Sequence, residues 1–206
     1  MPAPRLLLAT TNPGKLREVR AILAGIPAEL VSIDQLGLGR PPVVEETGTT
    51  FLDNALLKAR SYAIWSGLAT LADDSGLEVD ALGGLPGVRS ARYAGPDATD
   101  QANLDKLLAA LTGVPPGRRT ARFRCAAVLV CLEQGEWAAE GVWHGRILKA
   151  PRGSGGFGYD PVFVPGGWHT TSAEVDQATK DAVSHRGQAF RALRPAVEAW
   201  AAALRG

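Results

Sequence analysis

Two cysteines, three histidines and one methionine are all that this 206-residue chain carries of thiol, imidazole and thioether groups. So few soft ligands exclude the common zinc and iron–sulfur centres, which gather Cys and His at short spacings. Cys125 and Cys131 both lie in the apolar run Arg122–Leu132. On a strand their Cα atoms would stand about 20 Å apart, far beyond disulfide reach. The two thiols therefore read as reduced, core-filling groups, and the compartment as cytoplasmic. No Ser-His-Asp order is evident, so serine-hydrolase chemistry is not indicated. No stretch approaches the ~20 apolar residues of a membrane span. The run Leu6–Ala9, behind Met1-Pro2-Ala3-Pro4-Arg5, is too short for a signal sequence. A formal net charge of +1 provides no global field to draw nucleic acid or an anionic membrane, so a phosphate ligand must be held by local groups.

What remains is an ordinary globular composition, 46% hydrophobic and 21% charged, long enough to bury a core without staples. No repeat, low-complexity linker or boundary divides residues 1–206, so the chain reads as one domain, with or without two lobes. Strands are predicted at Leu6–Thr10, Leu30–Ile33, Leu68–Ala72 and Leu77–Leu82 from their apolar runs. A further short strand is predicted at Pro161–Val164. Arg119–Glu133 and Trp137–Lys149 read as a long hairpin turning at Gln134-Gly135. Helices are predicted from Asn12-Pro13-Gly14 to Gly25, from Thr50 to Trp65, over Thr99–Leu111, over Glu174–Val183 and from Ser184 to Leu204. Capping residues mark their starts, and Pro195 is expected to kink or break the last. Alternating helices and strands with an inserted hairpin indicate an α/β class with a mixed sheet.

Five segments carry chemistry. Thr10-Thr11-Asn12-Pro13-Gly14-Lys15 follows a strand and opens a helix, where backbone N–H groups and the Lys15 charge suit a phosphate. It lacks the two-glycine spacing of a Walker A loop. Asp73-Asp74-Ser75-Gly76 places two carboxylates at an expected strand end, where they need a cation or donors, and magnesium with substrate phosphates fits. Glu45-Glu46-Thr47-Gly48 adds a second acidic pair, with Lys58 on the following helix. Gly155-Gly156-Phe157-Gly158-Tyr159-Asp160-Pro161 offers Phe157 and Tyr159 to stack on a base and Asp160 to accept from its N–H groups. Lys180 and Ser184-His185-Arg186-Gly187 offer donors for a carbonyl or phosphate. Each segment alone reads equally as a capped helix, polar turn or solvated loop. Together they supply carboxylates for a metal, a phosphate cradle and a base-reading wall.

These segments, in this order, with Asn54-Ala55-Leu56-Leu57-Lys58-Ala59-Arg60 and Leu85-Pro86-Gly87-Val88-Arg89-Ser90-Ala91-Arg92-Tyr93, resemble the inosine/xanthosine triphosphate pyrophosphatase family over nearly the whole chain. The resemblance implies an elongated two-lobed α/β fold around a long mixed sheet with flanking helices, with the active site in the interlobe cleft. It implies a homodimer that uses magnesium and hydrolyses non-standard purine nucleoside triphosphates to the monophosphate and pyrophosphate. Carried over by position, Thr10, Thr11, Asn12, Pro13, Gly14 and Lys15 bind the triphosphate, and Lys58 and Ser75 contact phosphate. Glu45 and Asp74 serve the metal with Asp73 beside them, and Asp74 is the general base. Phe157, Gly158, Tyr159, Asp160, Lys180, His185 and Arg186 form the base and ribose pocket. Two alternatives stay open: a relative preferring another abnormal nucleotide, and a nucleotide-binding regulator without turnover.

Overall fold

The computed structural model describes residues 3–204; Met1 and Pro2 of the N-terminal segment, and the final two residues, lie outside it. Strand β1 (Arg5–Leu8) leads into helix α1 (Pro13–Ile22), with Asn12 as its N-cap and Pro13 at its first position. Pro suits that place because its missing N–H is not needed there. Strand β2 (Glu29–Ser32) follows, then helix α2 (Phe51–Ser66), capped by the Thr50 side chain on Asp53 N and closed by Gly67 in the left-handed conformation. Strand β3 spans Thr70–Val79, and helix α3 spans Asp100–Ala110. Strands β4 (Thr120–Cys131) and β5 (Gly135–Ile147) form the predicted hairpin. Strand β6 (Phe163–Pro165), helix α4 (Gln177–Val183) and helix α5 (His185–Ala203) complete the order.

The six strands are ordered β2-β1-β3-β4-β5-β6. Strand β1 pairs in parallel with both β2 and β3, whereas β6 is antiparallel to β5, so the sheet is mixed as predicted.

Two expectations fail locally. The chain does not leave the sheet at Asp73-Asp74-Ser75-Gly76; β3 runs unbroken through it. A strand can carry adjacent carboxylates through its interior only if partners neutralise them, and the partners are present, as shown below. At Pro195, where a kink or a break was expected, the break does not occur, and helix α5 continues past it.

Backbone contacts divide the chain into two compact units. The first comprises residues 1–74, 125–141 and 186–206, and the second 75–124 and 142–185. Alternation along β1 builds the first unit's two layers. Leu6 and Leu8 join Val19 of α1 and Leu23 at its C-cap, Cys125, Ala127 and Leu129 of β4, and Phe190, Leu193, Val197 and Trp200 of α5. Leu7, on the opposite face, packs with Val31, Ile33, Tyr62 and Trp65. Both cysteines are free thiols buried in β4, as their spacing requires. The second unit has its own core of Leu77 and Val79, Leu104 and Leu107 of α3 with Leu111 at its C-cap, and Phe123, Trp143, Tyr159 and Phe163.

Candidate active site

Charge in the first unit converges on β3. Asp73 Oδ2 lies 2.9 Å from Lys15 Nζ and 3.3 Å from both Nε and Nη2 of Arg186. The Nη1 group of Arg186 donates to Glu18 on α1. Glu18, Asp73 and Arg186 are all buried. Two cations therefore meet two carboxylates, the condition under which buried charge is tolerated. Burial alone would raise the Asp73 pKa, but Lys15, Arg186 and Lys58 overcome it and hold the carboxyl well below its usual range. Asp73 Oδ1 is also buried, and it has no hydrogen-bond partner among the described residues.

Consecutive strand residues face opposite ways, so Asp74 meets a different set of groups. Its Oδ2 accepts from Asn54 Nδ2 at 3.1 Å, and its Oδ1 lies 3.6 Å from Lys58 Nζ. Lys58 also pairs with Glu46 at 2.8 Å. Burial raises the Asp74 pKa; Lys58 and Lys15 oppose this and Glu46 reinforces it, with the net shift upward. Burial disfavours the Lys58 charge, but Asp74, Asp73 and Glu46 outweigh burial and raise its pKa. The outcome is a fixed ammonium beside a carboxylate more basic than an ordinary aspartate.

The segment before α1 is shaped by its own side chains. Thr10 Oγ1 accepts from Asn12 N at 3.2 Å, and Asn12 Oδ1 accepts from Lys15 N at 3.0 Å. Thr11, Asn12 and Pro13 are exposed, Thr10 is half-buried and Gly14 is buried.

The glycine-rich loop belongs to the second unit and is pinned at three successive residues. Phe157 N donates to Asp160 Oδ2 at 2.9 Å, Gly158 N donates to Asp100 Oδ2 at 2.8 Å, and the Tyr159 hydroxyl donates to Ser90 O at 2.8 Å. Lys180 pairs with Asp160 Oδ2, and Ser172 Oγ donates to Asp160 Oδ1 at 2.9 Å. Gly156 has φ +70°, and a Cβ there would fall 2.0 Å from Asp160 Oδ2, so no other residue fits. The Lys180 ammonium lies 5.0 Å from the centroid of the Phe157 ring. His185 is buried and stacks on Phe123, with ring centroids 4.7 Å apart.

Of the residues singled out from sequence, Lys15, Lys58, Asp73, Asp74 and Arg186 come together in the first unit. Glu45 is exposed, and the contact with Lys58 is made by Glu46 instead. Phe157, Gly158, Tyr159, Asp160 and Lys180 assemble in the second unit, which also holds half-buried Ser75. Tyr159 turns into the core, leaving Phe157 as the half-exposed aromatic. Asp160 holds the loop with both its oxygens. His185 and Arg186 do not form one donor edge: the Arg186 guanidinium faces Glu18 and Asp73. Neighbouring helical residues project about 100° apart, which separates the two side chains.

Sequence reasoning gave no role to Glu18, Asn54, Ser90, Asp100 or Ser172. A signal existed for two of them. Glu18 follows Lys15 by three and precedes Ile22 by four, on the inner side of α1. Asn54 falls on the buried stripe of Phe51, Ala55 and Ala59 in α2.

The model of the Ham1 family matches residues 6–196. The chain belongs to the Ham1 family. Among its Ham1 relatives, the dITP/XTP pyrophosphatase of Methylococcus capsulatus is 53% identical, over 92% of this chain and 94% of the relative. The dITP/XTP pyrophosphatase of Streptomyces coelicolor is 51% identical, over 94% and 96% respectively. The Ham1 protein of Coxiella burnetii superposes with a TM-score of 0.83 at 40% identity, covering 94% of this chain and 98% of its own. The resemblance first read from the motifs is thereby established at the level of family and fold.

Among the described residues, no group of three or more His, Cys, Asp and Glu side chains is arranged to hold a metal ion. A magnesium ion does not need one: it commonly takes one or two carboxylates and completes its shell with water and substrate phosphates. The partnerless Asp73 Oδ1 and the Asp74 carboxylate are hard oxygen donors of that kind. The donor set fits magnesium and does not fit a soft metal.

Proposed function

We propose that this chain is a nucleoside triphosphate pyrophosphatase that converts non-standard purine nucleotides (dITP, XTP and ITP) to the monophosphate and pyrophosphate. The observation that carries the reading is the Asp74 carboxylate, buried in β3, made more basic by burial and set beside the Lys58 ammonium. Sequence identity of about one half to curated dITP/XTP pyrophosphatases, over nearly the full length of both chains, supports the substrate class.

In this reading water attacks the α-phosphorus. Asp74 accepts the water proton as the oxygen–phosphorus bond forms. The bond from the α-phosphorus to the bridging oxygen breaks, and pyrophosphate leaves. Burial shifts the Asp74 carboxyl in the direction that favours proton acceptance. Thr10 to Lys15 bind the triphosphate, with the α1 N-terminus turned to its charge. Lys58 and Ser75 contact phosphate, and Lys15 and Lys58 stabilise charge as it develops. Phe157 stacks on the base, while Gly158, Tyr159, Asp160, Lys180 and His185 shape its pocket. Arg186 acts through Asp73. Asp74, Asp73 and Glu45 would hold magnesium, which supplies charge screening to the phosphates when bound. A homodimer and a cytoplasmic location belong to the same proposal; within the described residues no helix is long and apolar enough to cross a membrane.

The test is pyrophosphate release from dITP, XTP, ITP, GTP and ATP, with and without magnesium. Magnesium-dependent release that is much faster with the first three is the expected result. Orthophosphate as product, or no release from any nucleotide, would overturn the proposal.

A further inference from the structure

Asn54 has no part in the chemistry described so far, yet its side chain is completely buried beside Asp74. A buried amide is tolerated only when it is hydrogen-bonded, and here both ends are used. Its Nδ2 donates to Asp74 Oδ2 at 3.1 Å, and its Oδ1 accepts from Gly48 N at 2.8 Å. Gly48 closes the acidic segment Glu45–Gly48, whose Glu46 returns to Lys58. The close approach requires glycine: a Cβ at residue 48 would lie 2.7 Å from Asn54 Oδ1 and 2.6 Å from Asp53 Cβ.

The result is a closed circuit: Asp74, Asn54, Gly48, then Glu46 and Lys58 back to Asp74. One oxygen of Asp74 is set by an amide donor and the other by the Lys58 ammonium, so rotation of the carboxylate would lose one or both contacts. An apolar residue of similar size would fill the same space in α2 and set neither group. Loop and carboxylate are therefore joined twice, through the Asn54 amide and through the Lys58 ammonium, and Asn54 supplies the link that sets Asp74 Oδ2.

We propose that Asn54 is a positioning residue: through its two hydrogen bonds it orients Asp74 and anchors the Glu45–Gly48 segment to it. The inference rests on Asp74 acting in the reaction proposed above.

The experiment compares Asn54→Ala, which removes both bonds, and Asn54→Asp, which keeps the acceptor for Gly48 N but loses the donor to Asp74. Wild type and Asp74→Asn are assayed alongside, with dITP and magnesium. The two Asn54 variants are expected to lower kcat about ten- to a hundredfold, the usual effect of removing an orienting partner. The KM for dITP should stay within about threefold, because the Thr10–Lys15 segment is untouched. A merely structural role would lower the melting temperature but leave kcat per folded molecule at the wild-type value, and that result overturns the proposal. If both variants fail to fold, Gly48→Ala decides from the other end of the circuit: loss of kcat with the fold retained supports the proposal, and wild-type kcat overturns it. Wild-type turnover by Asp74→Asn would overturn the parent reading, and this inference with it, independently of what the Asn54 variants do.

Discussion

Replacing Asp74 by Asn removes one ionisable oxygen and little volume, so the variant isolates proton acceptance from packing. Pyrophosphate release is expected to fall by about two to four orders of magnitude, the usual contribution of a positioned general base. Circular dichroism should show the fold unchanged. Arg186 raises a different question at the same scale. From sequence it was expected to donate to a carbonyl or phosphate in the base and ribose pocket; in the structure it closes a buried charge cluster with Glu18, Asp73 and Lys15. Arg186→Met removes the guanidinium that pairs with Glu18 and one of the cations beside Asp73. Urea unfolding should show a loss of about 3–5 kcal/mol, typical of an uncompensated buried charge. A loss below about 1 kcal/mol, with altered preference among nucleotides, would return Arg186 to the base-reading role.

Among the elements, the glycine-rich loop shows how a segment without regular structure is made rigid. Its backbone and ring are tied to α3 through Asp100 and to the segment after β3 through Ser90. Ser90 itself accepts from Leu77 N at 2.8 Å and donates to Gly87 O at 2.6 Å, so the anchor is fixed in turn. Asp100→Ala and Tyr159→Phe should each raise the KM for dITP severalfold with kcat nearly unchanged, since each loosens a wall of the pocket and not the reacting centre. Steady-state kinetics on the two variants checks this; unchanged KM in both would detach the loop from substrate binding. The ties of Gly158 to Asp100 and of Tyr159 to Ser90 were not legible in the sequence, because each joins residues far apart in the chain. The elements themselves were legible, since capping residues at Asn12, Thr50 and Thr99 and the apolar runs of β1 and β4 are local signals. The break expected at Asp73 was a misreading of the same kind of local signal. Asp, Ser and Gly favour turns on their own, and only Lys15, Lys58 and Arg186, brought in from elsewhere, make a strand interior habitable for two carboxylates.

At the scale of the whole molecule, the candidate residues were found because their types and order are distinctive, whereas their partners were not. Two lobes were implied by the family resemblance, but where the two units divide was not legible in the sequence. Each unit is assembled from separated segments, so no composition shift or linker marks the change from one to the other. The first unit draws Cys125, Ala127 and Leu129 from β4 and Phe190, Leu193, Val197 and Trp200 from α5. A chain ending at Arg124 would lack all seven. Its first seventy-four residues are expected to remain without stable tertiary structure, with poorly dispersed amide signals in solution NMR and no cooperative thermal transition.

The same discontinuity sets an order of events at the ribosome. Of the two units the first is begun earlier, but it cannot close its core until the buried residues of α5 have emerged, whereas the second is fully translated at residue 185. The unit begun earlier is thus finished later. Until then Leu6, Leu8, Val19 and Leu23 stay without the side of α5 that covers them, an apolar surface left open on the growing chain.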